Sequence, residues 1–396
     1  MGVGTDVGSS NPQKIIFDHD GGIDDFVTLL LLLSKPEAVR LLGVTILDAD
    51  CYAAVAANTT LKLLHTLGFD DIPVAVSSLP GKNPFPDLWR GSPLSVDVQP
   101  LINNVTQASG GEDLARQLSL VPGQEFLAQL LLTQVEPVTI VATGPLSNVA
   151  YVLQKYGAAA ASKIREVVWM GGAMWVEGNV QAPAHDGSAE WNAFWDPEAV
   201  GVVWNSSVPL LVVPLDATNA VPVTPELLYR RVFGLQSQYR YSVLAGTIWS
   251  RVITWVYERP LMPYYAWDTL TAACVMKPDL CPRTEGVQSY AVVTGPSQGR
   301  TAPAGAAGAA AAGTATVPAV ACDAVNLTCT ATASALAAGS DRASAAAGLA
   351  AAVAGLLEEG GGAEGPVEVS TTRAVSVVKH VDAEAFYSFV LESLRV

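Results

Sequence analysis

From residue 14 onward, short apolar runs rich in Val, Ile and Leu alternate with longer stretches of helical periodicity. Residues 14–17, 41–47, 73–76, 138–142, 166–170 and 208–214 read as buried strands. Residues 26–33, 53–67, 125–135 and 148–156 read as helices between them. A strand that is apolar without alternation is covered on both faces, and helices in the connections provide the cover. The expected fold is α/β, a Rossmann-like, mainly parallel sheet flanked by helices. In such sheets ligands gather beyond the carboxyl ends of the strands, so the chemistry is sought in the residues that follow each strand.

The alternation stops near Gly299. Residues 301–350 hold 22 alanines, with Gly, Ser and Thr filling much of the remainder. Such a tract has too few large side chains to pack a core, and residues 297–365 are read as a low-complexity Ala/Gly-rich insertion. A strand pattern returns at 374–378 and an amphipathic helix at 382–394. Pairing that strand with 289–293 across the insertion gives a discontinuous catalytic domain, 14–296 plus 366–396, behind a flexible amino terminus at 1–13.

Composition narrows the functional classes. Half the residues are hydrophobic and 15% are charged, a globular balance. The net charge of −15 repels phosphate backbones and anionic membranes, so neither nucleic acid nor membrane is an expected partner. No apolar run approaches the roughly 20 residues that span a bilayer. Residues 1–10 lack a basic start and an apolar stretch, so a cytoplasmic location is expected. Five cysteines without CxxC or zinc spacing are expected to be reduced thiols. In that setting the N-x-Ser/Thr frames at Asn58, Asn104, Asn205 and Asn326 carry little weight.

The richest segment is Ile15-Ile16-Phe17-Asp18-His19-Asp20-Gly21-Gly22-Ile23-Asp24-Asp25-Phe26. A buried strand ends in a glycine turn with four carboxylates, and an apolar helix follows. One or two of these could cap the helix. Four packed together repel, and a hard cation bound by carboxylate and carbonyl oxygens is the usual remedy.

This loop resembles the Asp-x-Asp-x-x-x-Asp-Asp fingerprint of the nucleoside hydrolase family. The resemblance continues in Leu47-Asp48-Ala49-Asp50-Cys51, Asn83-Pro84-Phe85-Pro86-Asp87-Leu88-Trp89-Arg90 and Ala142-Thr143-Gly144-Pro145-Leu146-Ser147-Asn148. It extends through Met170-Gly171-Gly172-Ala173, Gly178-Asn179-Val180, Ala189-Glu190-Trp191-Asn192 and Tyr264-Tyr265-Ala266-Trp267-Asp268. It is nearest to the purine-preferring branch, the inosine-adenosine-guanosine nucleoside hydrolases, which implies hydrolysis of a purine ribonucleoside to ribose and free base, purine salvage and a homodimer.

By the same resemblance, Asp20, Asp25, Asp268 and the carbonyl of Thr143 would bind Ca²⁺, with Asp20 as general base. Asp24, Asn179, Glu190, Asn192 and Asp268 would surround the ribose, and Asp50 would contact the purine. Trp89 and Trp267 would sandwich the base. The pyrimidine-preferring relatives carry a His at the place of Trp267, and none stands there in this chain; cation–π attraction of the indole for a protonated purine is the substitute. Gly22 departs from the branch, which has Asn there, and leaves one sugar contact in question.

Turn-holding by Asn179 and helix capping by Glu190 or Asn192 are the bland alternatives for those positions. Charge on His19 would be favoured by its acidic neighbours, His185 is a candidate loop acid, and His65 and His380 read as structural or solvated. Two rivals exist for the whole chain. A haloacid-dehalogenase-type phosphohydrolase also opens with Asp-x-Asp but has no use for Asp24-Asp25 or Trp267-Asp268. A non-catalytic nucleoside-binding protein would keep the pocket without turnover.

Overall fold

The computed structural model describes residues 11–108, 114–253, 263–305, 321–323, 328–330 and 367–396. Nine strands form one sheet: β1 (Gln13–His19), β2 (Val39–Ile46), β3 (Val74–Val76), β4 (Val138–Ala142), β5 (Ile164–Met170), β6 (Leu210–Val213), β7 (Arg283–Ala291), β8 (Thr301–Pro303) and β11 (Arg373–Val378). Their order is β3-β2-β1-β4-β5-β6-β11-β7-β8. The strands from β3 to β11 run parallel, and β7 and β8 complete the sheet antiparallel to their neighbours. This is the α/β architecture expected from the alternation.

The apolar runs explain the layering. Every residue of β4 and β6 is buried, as the absence of polar alternation requires of a strand covered on both faces. Helix α1 (Ile23–Leu33) is buried along its entire length, so its leucine run is internal packing. The helix begins three residues before the apolar run suggested, drawing Asp24 and Asp25 into its first turn. Helix α2 (Ala53–Leu67) ends at Gly68, a left-handed residue at φ 81° suited to a helix stop. One core face gathers α1, α2 and the closing helix Ala383–Ser393, and the other gathers Gly123–Leu132, Ser147–Ala161 and Pro197–Trp204.

The last strand pairs across the insertion, with Arg373 opposite Ser289 and Val375 opposite Val287. β7 starts earlier than 289 because its first half is an exposed edge segment that lacks an apolar signal. Thr301–Pro303, within the span read as insertion, pairs with β7 as the edge strand. The described residues to Ala304 together with Val367–Val396 form one compact unit. Within Gly305–Pro366, the second unit, the structure describes an antiparallel pair, β9 (Ala321–Asp323) and β10 (Thr328–Thr330). The remainder of the alanine-rich tract lies outside the described residues.

One cysteine expectation is overturned. Cys274 and Cys281 are both buried and are joined as a disulfide. Their seven-residue separation holds no CxxC signal; the helix Trp267–Met276 and the turn after it bring their Cα atoms to 5.3 Å. Cys51 is a buried free thiol, its pKa pushed up by burial and by Asp50 and Asp20.

Candidate active site

The strand order reverses between β1 and β4, whose chain connections leave in opposite directions, and the carboxyl ends of strands at such a switch point are where ligands bind in open α/β sheets. Register puts Asp18 opposite Ala142, and the Thr143 amide donates to the Asp18 carbonyl at 2.9 Å. The acidic loop after β1 is thereby set beside Thr143 after β4. On the other side His19 pairs with Ile46, and the Leu47 amide donates to the His19 carbonyl, bringing in the Asp48–Asp50 segment.

Gly21 makes the turn at φ 82°; a Cβ there would stand 2.4 Å from the Ala56 Cβ and 2.9 Å from the Cys51 Cβ. The turn lets Asp25 fold back, its Oδ2 accepting the Gly21 and Gly22 amides at 2.9 Å each and its Oδ1 the Thr143 hydroxyl at 2.5 Å. Asp24 faces the other way: Oδ1 accepts the Tyr264 hydroxyl and Oδ2 the Asp268 amide, both at 2.8 Å. Asp20 Oδ2 accepts the Asp50 amide at 3.2 Å. At Gly22 a Cβ would lie 2.7 Å from Asp50 Oδ2, so the missing side chain is where Asp50 now sits.

Burial and mutual repulsion dominate the electrostatics. Asp20 is held well above the usual carboxylate range by desolvation, then by Asp25 and Asp50. Asp268 is raised likewise by desolvation, then by Asp24, Asp25 and Asp20. Desolvation followed by Asp25 raises both Asp24 and Asp50 to about 7. Asp18, further back, is raised to about 6 by desolvation; its Oδ1 accepts Thr45 and Asn148, while its buried Oδ2 has no hydrogen-bond partner among the described residues. Such a cluster is unfavourable alone and accommodates positive charge. As the side chains stand, no three Asp, Glu, His or Cys among the described residues are gathered as a ready ligand set.

Glu190 is the N-cap of the short helix Trp191–Trp195. Its oxygens accept the amides of Asn192 at 2.8 Å, Gly172 at 2.9 Å and Ala193 at 3.3 Å, while desolvation raises it to about 7. Asn192 donates to the Thr143 carbonyl at 3.1 Å and the Met170 carbonyl at 3.2 Å. Asn179 accepts the Trp191 amide at 3.0 Å, a turn-holding contact that ties it to the Glu190 loop.

The structure thus brings Asp20, Asp24, Asp25, Asp50, Thr143, Asn192 and Asp268 into one buried neighbourhood, with Glu190 adding to the field at Asp50. The two tryptophans belong to separate aromatic groups. Trp89 packs edge-on to Trp191 at 5.4 Å, beside Phe85, and Trp267 packs edge-on to Tyr264 at 4.8 Å and Tyr265 at 5.4 Å. Each indole is half-buried.

His185 is pinned, its Nδ1 accepting the Gly187 amide and its Nε2 meeting the Gln298 carbonyl, both at 2.9 Å, and burial lowers its pKa. A ring held at both nitrogens fastens its loop. His19 Nδ1 accepts the Gly21 amide at 3.1 Å, and its Nε2 meets Thr60 Oγ1 at 3.3 Å. Tyr264 and Asp18, to which the sequence alone gave no role, join this neighbourhood through Asp24 and through Thr45 and Asn148. Tyr264 lies inside a quoted motif three residues before Trp267, and that spacing was the available signal.

Comparison with known proteins agrees with this architecture. The family model for inosine-uridine preferring nucleoside hydrolases matches residues 15–388. A pyrimidine-specific ribonucleoside hydrolase, RihB of Escherichia coli strain SE11, is 30% identical over 300 residues, covering 73% of this chain and 86% of the relative. The inosine-uridine preferring nucleoside hydrolase of Bacillus anthracis superposes with a TM-score of 0.70 at 30% identity, over 97% of this chain and 99% of that one. The purine-preferring ribonucleoside hydrolase of Gardnerella vaginalis shares the fold at a TM-score of 0.63 and 18% identity, over 97% and 98% of the two chains. With the acidic loop at the switch point and a match along most of its length, this chain belongs to the inosine-uridine preferring nucleoside hydrolase family and has that family's activity, hydrolysis of the N-glycosidic bond of ribonucleosides.

Proposed function

We propose that the substrates are purine ribonucleosides, that Ca²⁺ occupies the carboxylate cluster, and that Asp20 is the general base. The observation that carries this reading is the group of carboxylates gathered at the switch point, raised by desolvation first and then by one another's charge. Carboxylate and carbonyl oxygens suit a hard divalent cation, and the uncompensated charge suits it too. Asp20, Asp25, Asp268 and the Thr143 carbonyl would hold the ion. When bound, it supplies a Lewis acid that lowers the pKa of water and offsets the carboxylate charge.

The remaining work falls to the chain's own residues. An Asp20 oxygen takes the proton of the attacking water. Asp24 keeps a lone pair on each oxygen beyond those used by Tyr264 and the Asp268 amide, enough to receive ribose hydroxyls. Asn192 spends its amide hydrogens on two carbonyls and so presents Oδ1 as an acceptor, whereas Asn179 spends Oδ1 on Trp191 and presents its NH₂ as a donor. A ribosyl oxocarbenium-like transition state gains from the surrounding negative field. A site that hydrogen-bonds the sugar hydroxyls strands its own polar groups when one is missing, so deoxynucleosides react poorly. Asp50 contacts the purine, and Trp89 and Trp267 stack on it, favouring the protonated leaving base.

A pyrimidine preference is the second reading, favoured by the 30% identical relative described as pyrimidine-specific. Reducing-sugar release from inosine, guanosine, adenosine, uridine and deoxyinosine, with and without a chelator, separates them. Chelator-sensitive turnover that favours the purines supports the proposal, and faster turnover of uridine replaces it with the second reading. Absence of release from all five, with inosine binding still seen by calorimetry, would point to a binding protein. The expected homodimer is checked by sedimentation.

A further inference from the structure

The segment carrying Trp89 is a continuous run of hydrogen-bonded turns. Amides of Trp89, Arg90, Gly91, Ser92, Leu94, Ser95, Val96, Asp97 and Val98 each donate to a carbonyl three or four residues earlier, so the run moves as one piece. It is fastened at both ends to one support. At the near end Arg90 pairs with Asp48 at 2.7 Å and lies over the Tyr52 ring at 4.4 Å, immediately before α2. At the far end the Asp97 carboxylate is buried against α2 and accepts Asn58 at 2.8 Å, Thr59 at 3.0 Å and Lys62 at 3.0 Å through one oxygen. The Lys62 ammonium, itself buried, also donates to the Asp97 carbonyl at 2.9 Å.

A buried, multiply bonded ion pair inside a short segment is an expensive way to add stability, because burying two charges costs about as much as their attraction returns. What it does provide is one fixed geometry. The helix receiving Asp97 is the same one that follows Asp50, so α2 acts as a splint between the Asp50 loop and the Trp89 turn.

We propose that Lys62 and Asp97 are positioning residues for substrate binding: their buried tie to α2 sets the Trp89 indole at the distance from Asp50 that the nucleoside base requires. This rests on the reading of Trp89 as a base contact. Neither residue touches the reacting atoms, so the tie governs ground-state binding of the base and leaves the bond-breaking step alone.

The test compares kcat and KM for inosine and uridine in K62M/D97L, W89A and the triple variant, using the metal-loaded full chain. K62M/D97L removes both charges together and leaves neither stranded. Its KM is expected to rise about tenfold with kcat within about twofold, the size of losing one base–aromatic stack. Asp97→Asn, which keeps the acceptor oxygen but leaves the buried Lys62 ammonium without its counter-charge, is expected to raise KM at least as far as K62M/D97L. In the triple variant the KM should equal that of W89A, because the tie acts through the indole. If K62M/D97L does not fold, N58A/T59V removes two of the three α2 donors and is read in the same way. A raised KM in W89A with an unchanged KM in the tie variants would overturn the inference and leave the base-contact reading standing. An unchanged KM in W89A would overturn that reading, and the inference with it. A further rise in the triple variant would show that the tie acts elsewhere, and would also overturn it.

Discussion

Asp18→Asn tests the electrostatic account most directly, because this carboxylate lies behind the cluster and can be studied with the metal chelated. Asp18 is fully buried and held at about 6 from an ordinary 3.8, chiefly by desolvation. The folded protein therefore retains a proton that the unfolded chain has released, and stability falls as pH rises from the unfolded value through the folded one. At about 1.36 kcal/mol per pH unit the full difference is ~3 kcal/mol, of which ~2 kcal/mol develops between pH 4.5 and 8. The amide variant cannot titrate. It keeps an oxygen for Thr45 and Asn148, but it places an NH₂ where Oδ2 has no partner among the described residues, a cost of about 1–3 kcal/mol. Absolute stability is therefore ambiguous, and the pH slope is diagnostic. Urea denaturation of parent and variant at pH 4.5 and 8, in chelator, should show the parent losing ~2 kcal/mol more than the variant across the interval. Parallel pH dependences would refute the reasoning, because Asp18 would then titrate alike in both states.

Asp20→Ala should reduce turnover of every ribonucleoside by about 10²–10⁴, measured by sugar release under saturating metal; a loss below tenfold would remove Asp20 from the role of base. Gly21→Ala should lower the thermal midpoint sharply and abolish activity, since both its φ and the 2.4 Å approach to Ala56 exclude a Cβ; a midpoint within a degree or two of the parent would contradict the turn geometry. Alkylation of the unfolded, unreduced chain should leave Cys274 and Cys281 unlabelled, and C274A/C281A should lose about 2–3 kcal/mol, as expected for a short closed loop; labelling of both would negate the disulfide. Trp267→Ala should raise KM for inosine about tenfold, and equal kinetics in parent and variant would remove the indole from the base site.

The fold was legible because buried strands here are unbroken apolar runs and the connecting helices carry long periodic patterns. The strand at 374–378 and the end of its antiparallel partner, 289–291, were readable across the insertion, whereas the exposed first half of that partner was not. The acidic loop was legible as a site because four carboxylates in eight positions exceed what capping requires. What escaped depends on three-dimensional proximity between distant segments. The Cys274–Cys281 bond is made by a helix end meeting the turn beyond it, and spacing alone does not encode that. The hydroxyl of Tyr264 reaches Asp24 across 240 positions of chain. The fastening of His185 by the Gln298 carbonyl joins positions 113 apart and was likewise not legible. The aromatic supports of the two indoles, Phe85 and Trp191 beside Trp89, and Tyr264 and Tyr265 beside Trp267, were also not read from the sequence.

The place of β11 bears on how the chain acquires its structure as it is made. This strand lies inside the sheet, between β6 and β7, yet it is the last to leave the ribosome. Until it arrives, β6 offers an unpaired edge, and β7 with β8 lacks the strand it pairs with antiparallel. The alanine-rich tract must be translated first, so completion of the sheet waits on a long-range closure, the slow kind of folding step. A nascent chain stalled anywhere in that tract would hold the acidic loop and most of the core but an open sheet, a species suited to capture by chaperones or by another copy of itself. Shortening the tract should therefore speed maturation.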